Sequence, residues 1–304
     1  MLLKYYEVTM NLHRRGALRA PAGLNNHIMR INRSEDDMST TIIRENRDYW
    51  TQRASGYSEV NREELATNQR RLWLTALNER IAARFPGRSP HAIRVLEIGT
   101  GPGFFAILLA GAGYRVTAID LTPSMLAEAR RNAGALAGAI SFMEMNAQAL
   151  DFADHSFDVV VSRNVTWNLP EPRKAYGEWA RVLKPGGLLL NFDANWYRYL
   201  FDDDAREAYE RDRTNTARAG ADDLNVGDNF DRMEDIARRV PLSRVNRPQW
   251  DVEVLTSLGL AVETDHRVWE RVWSKQEKLN LASTPMFMVC GFKHADALDQ
   301  ALSG

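Results

Sequence analysis

The chain has 304 residues, 44% of them hydrophobic and 26% charged, which is the composition of a globular protein with a substantial core. Its 39 Lys and Arg residues balance 40 Asp and Glu residues, and no apolar run reaches the ~20 residues of a membrane-spanning helix, so we expect neither a nucleic-acid partner nor a membrane partner. The single cysteine, Cys290, excludes an internal disulfide and a cysteine-rich metal cluster, and it fits a cytoplasmic protein.

The first segment, residues 1–40, is basic and lacks a sustained apolar period. Its apolar surface is too small to offset the chain entropy lost on folding, so we predict a disordered extension. The same pattern leaves a second interpretation open, an overlong gene start with Met38 as the true initiator.

Residues 41–90 are predicted to form a helical N-terminal lid. From Thr41 to Arg84 the apolar residues recur at steps of three and four, which indicates amphipathic helix. The sequence Phe85-Pro86-Gly87 ends this pattern.

Strand and helix patterns then alternate five times, up to Asp193, which predicts a parallel sheet with right-handed crossovers. Residues 194–248 break this alternation, and we interpret them as a helical insertion that caps the substrate. A helix and two late strands follow, the strands near residues 261–272 and 285–292. The fold class is therefore α/β, and residues 41–304 form one domain.

A glycine turn follows the first strand and opens the next helix, where α/β proteins bind nucleotide-like cofactors. A dinucleotide fingerprint would place its third glycine at position 104, but Phe104 stands there. The actual pattern is Gly99-x-Gly101-x-Gly103, with Glu97 two residues before it. This pattern resembles the first motif of class I S-adenosylmethionine-dependent methyltransferases.

Asp120 lies at the tip of the second strand, about twenty residues after the first glycine, where a carboxylate can accept hydrogen bonds from two ribose hydroxyls. A cap for the helix that begins at Pro123 is the alternative. A nicotinamide enzyme would use the same aspartate, so only the glycine spacing separates it from a methyltransferase.

Residues 142–150, 156–160 and 181–188 resemble later motifs of the same methyltransferase family, in the same order. The resemblance is to the small-molecule branch, typified by ubiquinone/menaquinone-biosynthesis-type methyltransferases. It implies a Rossmann-like, seven-stranded, mostly parallel sheet with helices on both faces, and S-adenosyl-L-methionine as cofactor. It also implies in-line transfer of a methyl group to an O, N, S or C nucleophile, by a monomer or homodimer without a metal. Asn146 stands where the family usually has aspartate, and its carbonyl oxygen can still accept a hydrogen bond from the adenine amine.

The predicted site residues follow from these motifs and from the ends of strands four and five, since ligands of parallel sheets bind beyond the carboxyl ends. The predicted cofactor-binding residues are Tyr57, Glu97, Gly99, Thr100, Gly101, Gly103, Asp120, Leu121, Met125, Asn146, Ala147, Gln148, Arg163 and Asn164. The predicted substrate-binding residues are Trp167, Trp196 and Tyr197. Tyr57 and Trp167 have core packing as their alternative role.

Two residues are candidate proton acceptors. Asp193 follows strand five and could deprotonate a hydroxyl, thiol or amine, with a helix cap as its alternative role. His266 is predicted to lie in a late edge strand. Two further functions stay open at this point, a nucleic-acid or protein methyltransferase and a cofactor-binding protein without catalysis.

Overall fold

The computed structural model describes residues 22–224 and 230–295, with side chains from Asp37 onward. The chain divides into two units, residues 1–41 and 42–304. Of the predicted disordered extension, residues 1–21 lie outside the described residues, whereas residues 22–40 belong to the first helix.

Seven strands form one sheet in the order β3-β2-β1-β4-β5-β7-β6. All neighbouring strands are parallel except β7, which runs antiparallel to both β5 and β6. The strands are β1 (Arg94–Ile98), β2 (Arg115–Asp120), β3 (Ile140–Glu144), β4 (Phe157–Arg163), β5 (Leu183–Asp193), β6 (Leu260–Asp265) and β7 (Phe287–Lys293). The predicted seven-stranded, mostly parallel sheet is confirmed.

Ten α-helices lie in the described part of the chain. They are α1 (Ala22–Ala66), α2 (Gln69–Arg84), α3 (Phe104–Gly111), α4 (Pro123–Ala133), α5 (Pro172–Val182), α6 (Asp203–Arg218), α7 (Phe230–Ala237), α8 (Gln249–Ser257), α9 (Val268–Val272) and α10 (Lys275–Asn280). None of these helices has the length and apolar character needed to cross a lipid bilayer.

Two apolar clusters lie on opposite faces of the sheet. On one face, Trp73 of α2 and Phe105 of α3 pack against the sheet together with Phe192 of β5. On the other face, Trp179 of α5 and Leu255 of α8 pack against the sheet. The central strands are buried on both faces, which is why β4 reads as a nearly continuous apolar run.

The later part of α1 and the segment between β5 and α8 contribute a third apolar cluster. In it, Ile42 and Tyr49 pack with Met233 and Ile236 of α7 and with Trp167. This cluster places aromatic side chains of α1 and of the predicted insertion beyond the carboxyl ends of the strands.

One of the predicted late strands is shorter than expected. β6 ends at Asp265, and the residues predicted to continue it form a turn followed by α9. Val268 and Val272 are buried, and α9 packs against α2. An apolar spacing of four residues is helical rather than extended, which explains the difference.

Candidate functional site

A cavity of about 380 Å³ opens at the carboxyl ends of the strands. Its walls come from the loops that follow β1 to β5 and from one face of α1. The cavity therefore lies where the glycine turn, the tip of β2 and the loop after β4 converge.

The three glycines of the turn all have positive φ, at 65°, 54° and 94° for Gly99, Gly101 and Gly103. A Cβ on Gly99 would collide with the side chain of Val165, and a Cβ on Gly101 would touch the Tyr57 ring at 3.6 Å. Gly103 does not line the cavity. A Cβ there would lie 3.0 Å from that of Ala129, so this glycine lets α3 pack closely on α4.

The Asp120 carboxylate joins the tip of β2 to the glycine turn. Its Oδ2 accepts a hydrogen bond from the Gly101 backbone N–H at 2.9 Å, and its Oδ1 accepts one from the Thr122 N–H at 2.8 Å. Burial raises the pKa of Asp120, and these hydrogen bonds oppose the shift. The carboxylate lines the cavity between the glycine turn and the tip of β2.

Glu97 lies at the base of the cavity and is only 4% exposed. The Thr100 hydroxyl donates to its Oε2 at 2.7 Å. Burial raises the pKa of Glu97 to about 8, which means that the free protein holds this carboxyl protonated at neutral pH.

The loop after β3 lines another side of the cavity. The Asn146 Oδ1 accepts from the Gln148 N–H at 2.9 Å, and the Ala147 carbonyl accepts from the Trp179 indole at 2.9 Å. Gln148 is 1% exposed, and its Oε1 accepts from the Glu171 N–H at 2.7 Å. These bonds hold the loop in one conformation.

Arg163, at the end of β4, forms a buried ion pair with Glu64 of α1. Its Nη1 and Nη2 donate to the two Glu64 oxygens at 2.7 and 2.9 Å. The guanidinium also lies 4.5 Å from the centroid of the Phe104 ring and 5.2 Å from that of Trp73. Arg163 therefore anchors α1 over the glycine turn.

Tyr57 lines the cavity from α1, and Asn164 lines it from the loop after β4. Burial raises the pKa of Tyr57, so the phenol stays neutral. Asn164 has a positive φ of 59°, a strained conformation for a residue with a Cβ. Its Oδ1 is buried without a hydrogen-bond partner among the described residues.

The remaining part of the cavity has aromatic walls. Trp167 and Tyr197 lie with ring centroids 4.9 Å apart, and Trp196 lines the same region. Trp50 of α1 and Phe230 of α7 complete this aromatic part of the cavity.

Comparison with known proteins assigns part of the chain to a family. Residues 96–191 match the family model described as a methyltransferase domain. Together with the strand order and the glycine motif, this match confirms the predicted resemblance. The chain contains a class I S-adenosylmethionine-dependent methyltransferase domain.

Curated relatives of the methyltransferase domain are similar over part of their length. A demethylmenaquinone methyltransferase from Thermus thermophilus is 41% identical over 99 residues, which are 32% of this chain and 45% of the relative. A ubiquinone/menaquinone biosynthesis C-methyltransferase, UbiE, from Roseobacter denitrificans is 35% identical over 141 residues, 45% of this chain and 54% of the relative. The chain thus spans about half the length of these relatives.

A solved structure shares the fold. It is a chain from the complex between the Haloferax volcanii Trm112 methyltransferase activator and a putative methyltransferase, with a TM-score of 0.50 and 19% identity. The match covers 81% of this chain and 97% of that chain.

The structure brings most of the predicted residues of the methyltransferase domain together. The predicted residues that line the cavity are Tyr57, Glu97, Gly99, Thr100, Gly101, Asp120, Leu121, Met125, Asn146, Ala147, Gln148, Arg163, Asn164, Trp167, Trp196 and Tyr197. Their individual roles remain predictions.

The two candidate proton acceptors do not lie in the cavity. Asp193 is fully buried, and both of its oxygens already accept hydrogen bonds, including one from Arg247. His266 is exposed in the turn after β6, where its Nε2 lies 3.3 Å from the Thr264 hydroxyl. The structure therefore offers neither residue to a substrate, because one is enclosed by protein and the other lies at the far edge of the sheet.

Sequence reasoning missed several cavity residues on α1. It also missed Glu64, which does not line the cavity but pairs with the cavity residue Arg163, and which lies seven residues after Tyr57 and so on the same helix face. An acidic residue on an otherwise inward-facing stripe was the signal that could have revealed it. Trp50 lies seven residues before Tyr57, so the same helical spacing also places it on this face of α1.

Proposed function

We propose that this protein transfers the methyl group of S-adenosylmethionine to a small-molecule nucleophile. One observation carries the proposal. A single cavity joins the polar groups expected around this cofactor to a region walled by aromatic side chains. Such a cavity can hold donor and acceptor side by side.

The residues of the polar part fit the cofactor. Asp120 would accept from the ribose hydroxyls, and Asn146 with the Ala147 backbone would meet the adenine ring. Glu97, which lines the cavity beside the glycine turn, would hold the amino-acid tail. The unpartnered Asn164 Oδ1 is a further acceptor beside this part of the cavity.

The cofactor supplies a methyl group already activated by the positive sulfonium. What remains for the protein is to align the acceptor with that methyl group and to exclude water. The Tyr57 ring can stabilise the sulfonium by cation–π attraction of about 0.5–2 kcal/mol.

The aromatic part of the cavity favours a flat, largely apolar acceptor. Trp167, Tyr197 and Phe230 offer ring faces for stacking. The names of two relatives, which refer to demethylmenaquinone and to ubiquinone/menaquinone biosynthesis, agree with a ring compound as acceptor.

Binding calorimetry with S-adenosylhomocysteine tests the cofactor half of the proposal. We expect saturable binding that weakens at least tenfold in Asp120→Ala, because a charged acceptor of hydrogen bonds contributes roughly 1.5–3 kcal/mol. Asp48→Ala, on the exposed side of α1, is the matched control. Absence of binding, or equal binding by Asp120→Ala, would contradict the assignment.

Incubation with methyl-labelled S-adenosylmethionine and cell extract tests the acceptor half. We expect label in the small-molecule fraction. Label in the protein or nucleic-acid fraction would instead favour a macromolecular substrate. Binding without any transfer would favour a non-catalytic binding protein.

A further inference from the structure

A buried charge network lies directly behind the aromatic part of the cavity. The Arg247 guanidinium is fully buried between the carboxylates of Asp193 and Asp251. Its Nη1 donates to Asp193 Oδ2 at 2.7 Å, and its Nε and Nη2 donate to Asp251 at 2.8 and 2.6 Å. Its Nη2 also donates to the Thr166 hydroxyl at 2.7 Å.

Asp193 connects this network to two cavity-lining tryptophans. Its Oδ2 accepts from the Trp167 backbone N–H at 3.0 Å, and its Oδ1 accepts from the Trp196 indole N–H at 3.0 Å. The Thr166 hydroxyl donates to the same Oδ2 at 2.5 Å. One carboxylate thus fixes the backbone of one aromatic wall and the ring of another.

Asp251 has the same burial and the same arginine partner but different further contacts. Its Oδ1 accepts from the Tyr176 hydroxyl at 2.5 Å, on the face of the sheet covered by α5 and α8. Of the two carboxylates, it is Asp193 that bonds Trp167 and Trp196.

The network joins three segments that are distant in the sequence. Asp193 ends β5, Thr166 and Trp167 follow β4, and Arg247 ends the segment predicted to cap the substrate. Stability alone is a weak explanation for it, because buried ion pairs are often no more stable than well-packed apolar groups of similar volume. Directed, charge-assisted hydrogen bonds add geometric specificity, and here they connect the residues that form the cavity walls.

We infer that Asp193 is a positioning residue for the acceptor, holding Trp167 and Trp196 in the orientation that aligns the acceptor with the methyl donor. This inference rests on the proposed function. It replaces the role as proton acceptor that the sequence suggested for Asp193. In-line transfer depends on alignment, so a small displacement of these rings should slow it strongly.

The matched variants Asp193→Asn and Asp251→Asn test the inference. Each leaves one carboxylate for one guanidinium, so the charge change is the same. Protein labelled with 5-fluorotryptophan gives one fluorine resonance for each of the eight tryptophans. Trp167→Phe and Trp196→Phe assign the two resonances of interest.

We expect Asp193→Asn to shift or broaden the resonances of Trp167 and Trp196, and Asp251→Asn to leave both in place. Once the labelling experiment has identified an acceptor, kcat/KM for that acceptor should fall at least tenfold in Asp193→Asn and less than twofold in Asp251→Asn. The affinity for S-adenosylhomocysteine should change less than twofold in both variants.

Equal effects of the two variants on these resonances, or no effect of Asp193→Asn, would overturn the inference. Should Asp193→Asn not fold, Asp193→Glu retains the charge beside Arg247 and displaces the carboxylate, so the same two resonances should move. The fluorine readout needs neither ligand nor activity. Failure of S-adenosylhomocysteine to bind the wild-type protein would therefore refute the proposed function separately.

Discussion

At the scale of single residues, Glu97 shows how burial changes the chemistry of a motif residue. The sequence places an acidic residue two positions before the glycines, but it does not reveal that this carboxyl is 4% exposed with a pKa of about 8. A cationic ligand beside it would favour the ionised form, so binding of such a ligand should release a proton near neutral pH.

Glu97→Gln should make the stability of the folded protein depend less on pH. The folded pKa of Glu97 lies above the unfolded value, so the folded state binds more protons between about pH 4.5 and 8, and wild-type stability falls as pH rises through this window. Relative to wild type, the variant should gain roughly 1.4 kcal/mol of unfolding free energy per pH unit in that window. Urea unfolding at pH 5, 6, 7 and 8 measures this; a difference that stays constant with pH would contradict it.

Gly99→Ala should destabilise the protein and weaken cofactor binding. A Cβ at this positive φ is strained and meets Val165, and such strain costs on the order of 1–3 kcal/mol. Gly177→Ala is the control, since nothing lies within 4 Å of a Cβ there and Ala favours the interior of α5 by about 1 kcal/mol. In thermal unfolding, we expect Gly99→Ala to lower the Tm and Gly177→Ala to raise it. A change of the same sign in both variants would contradict this explanation.

At the scale of elements, α1 owes its position over the cavity to a few polar contacts as well as to apolar packing. The Arg163–Glu64 pair, with 12% and 8% of the two side chains exposed, is the most buried of the ion pairs that hold it. Arg47–Glu144 is a second contact, with nearly half of each side chain exposed. Removing the buried pair should therefore have the larger effect.

Glu64→Gln should cost about 3–5 kcal/mol of stability, because it leaves the buried Arg163 guanidinium without its counter-charge. The exposed pair Arg62–Glu59 lies on the same helix at 3.9 Å, and Glu59→Gln should change stability by less than about 1 kcal/mol. Urea unfolding of both variants measures the contrast. Similar losses in the two variants would show that Arg163 does not depend on Glu64.

At the scale of the whole molecule, the cofactor should stabilise the folded protein by mass action. S-adenosylhomocysteine at 100 times its Kd should add about 2.7 kcal/mol. At about 2–4 °C per kcal/mol for a chain of this size, the Tm should rise by several degrees. Oxidised nicotinamide dinucleotide at the same concentration should leave the Tm unchanged, and a larger shift with the dinucleotide would restore the oxidoreductase alternative.

Local pattern in the sequence predicted the α/β class and the parallel sheet, and the family resemblance added the number of strands and the residues of the polar part of the cavity. The strand, glycine turn and helix around Gly99, and the aspartate at the tip of β2, are neighbours along the chain or at fixed spacing in a parallel sheet. Their placement follows from strand periodicity and from where the carboxyl ends of strands meet. These are short-range rules that a single sequence carries.

The tertiary structure alone decided the roles of residues whose partners are distant in the chain. From the sequence, Asp193 is a candidate free carboxylate. In the structure it is buried and paired with Arg247, which lies more than fifty residues later in the chain. Glu64 likewise gains its meaning from Arg163, and Glu97 its raised pKa from the protein packed around it. Burial and long-range pairing depend on how separate segments meet in space, and the local pattern of residues does not encode that.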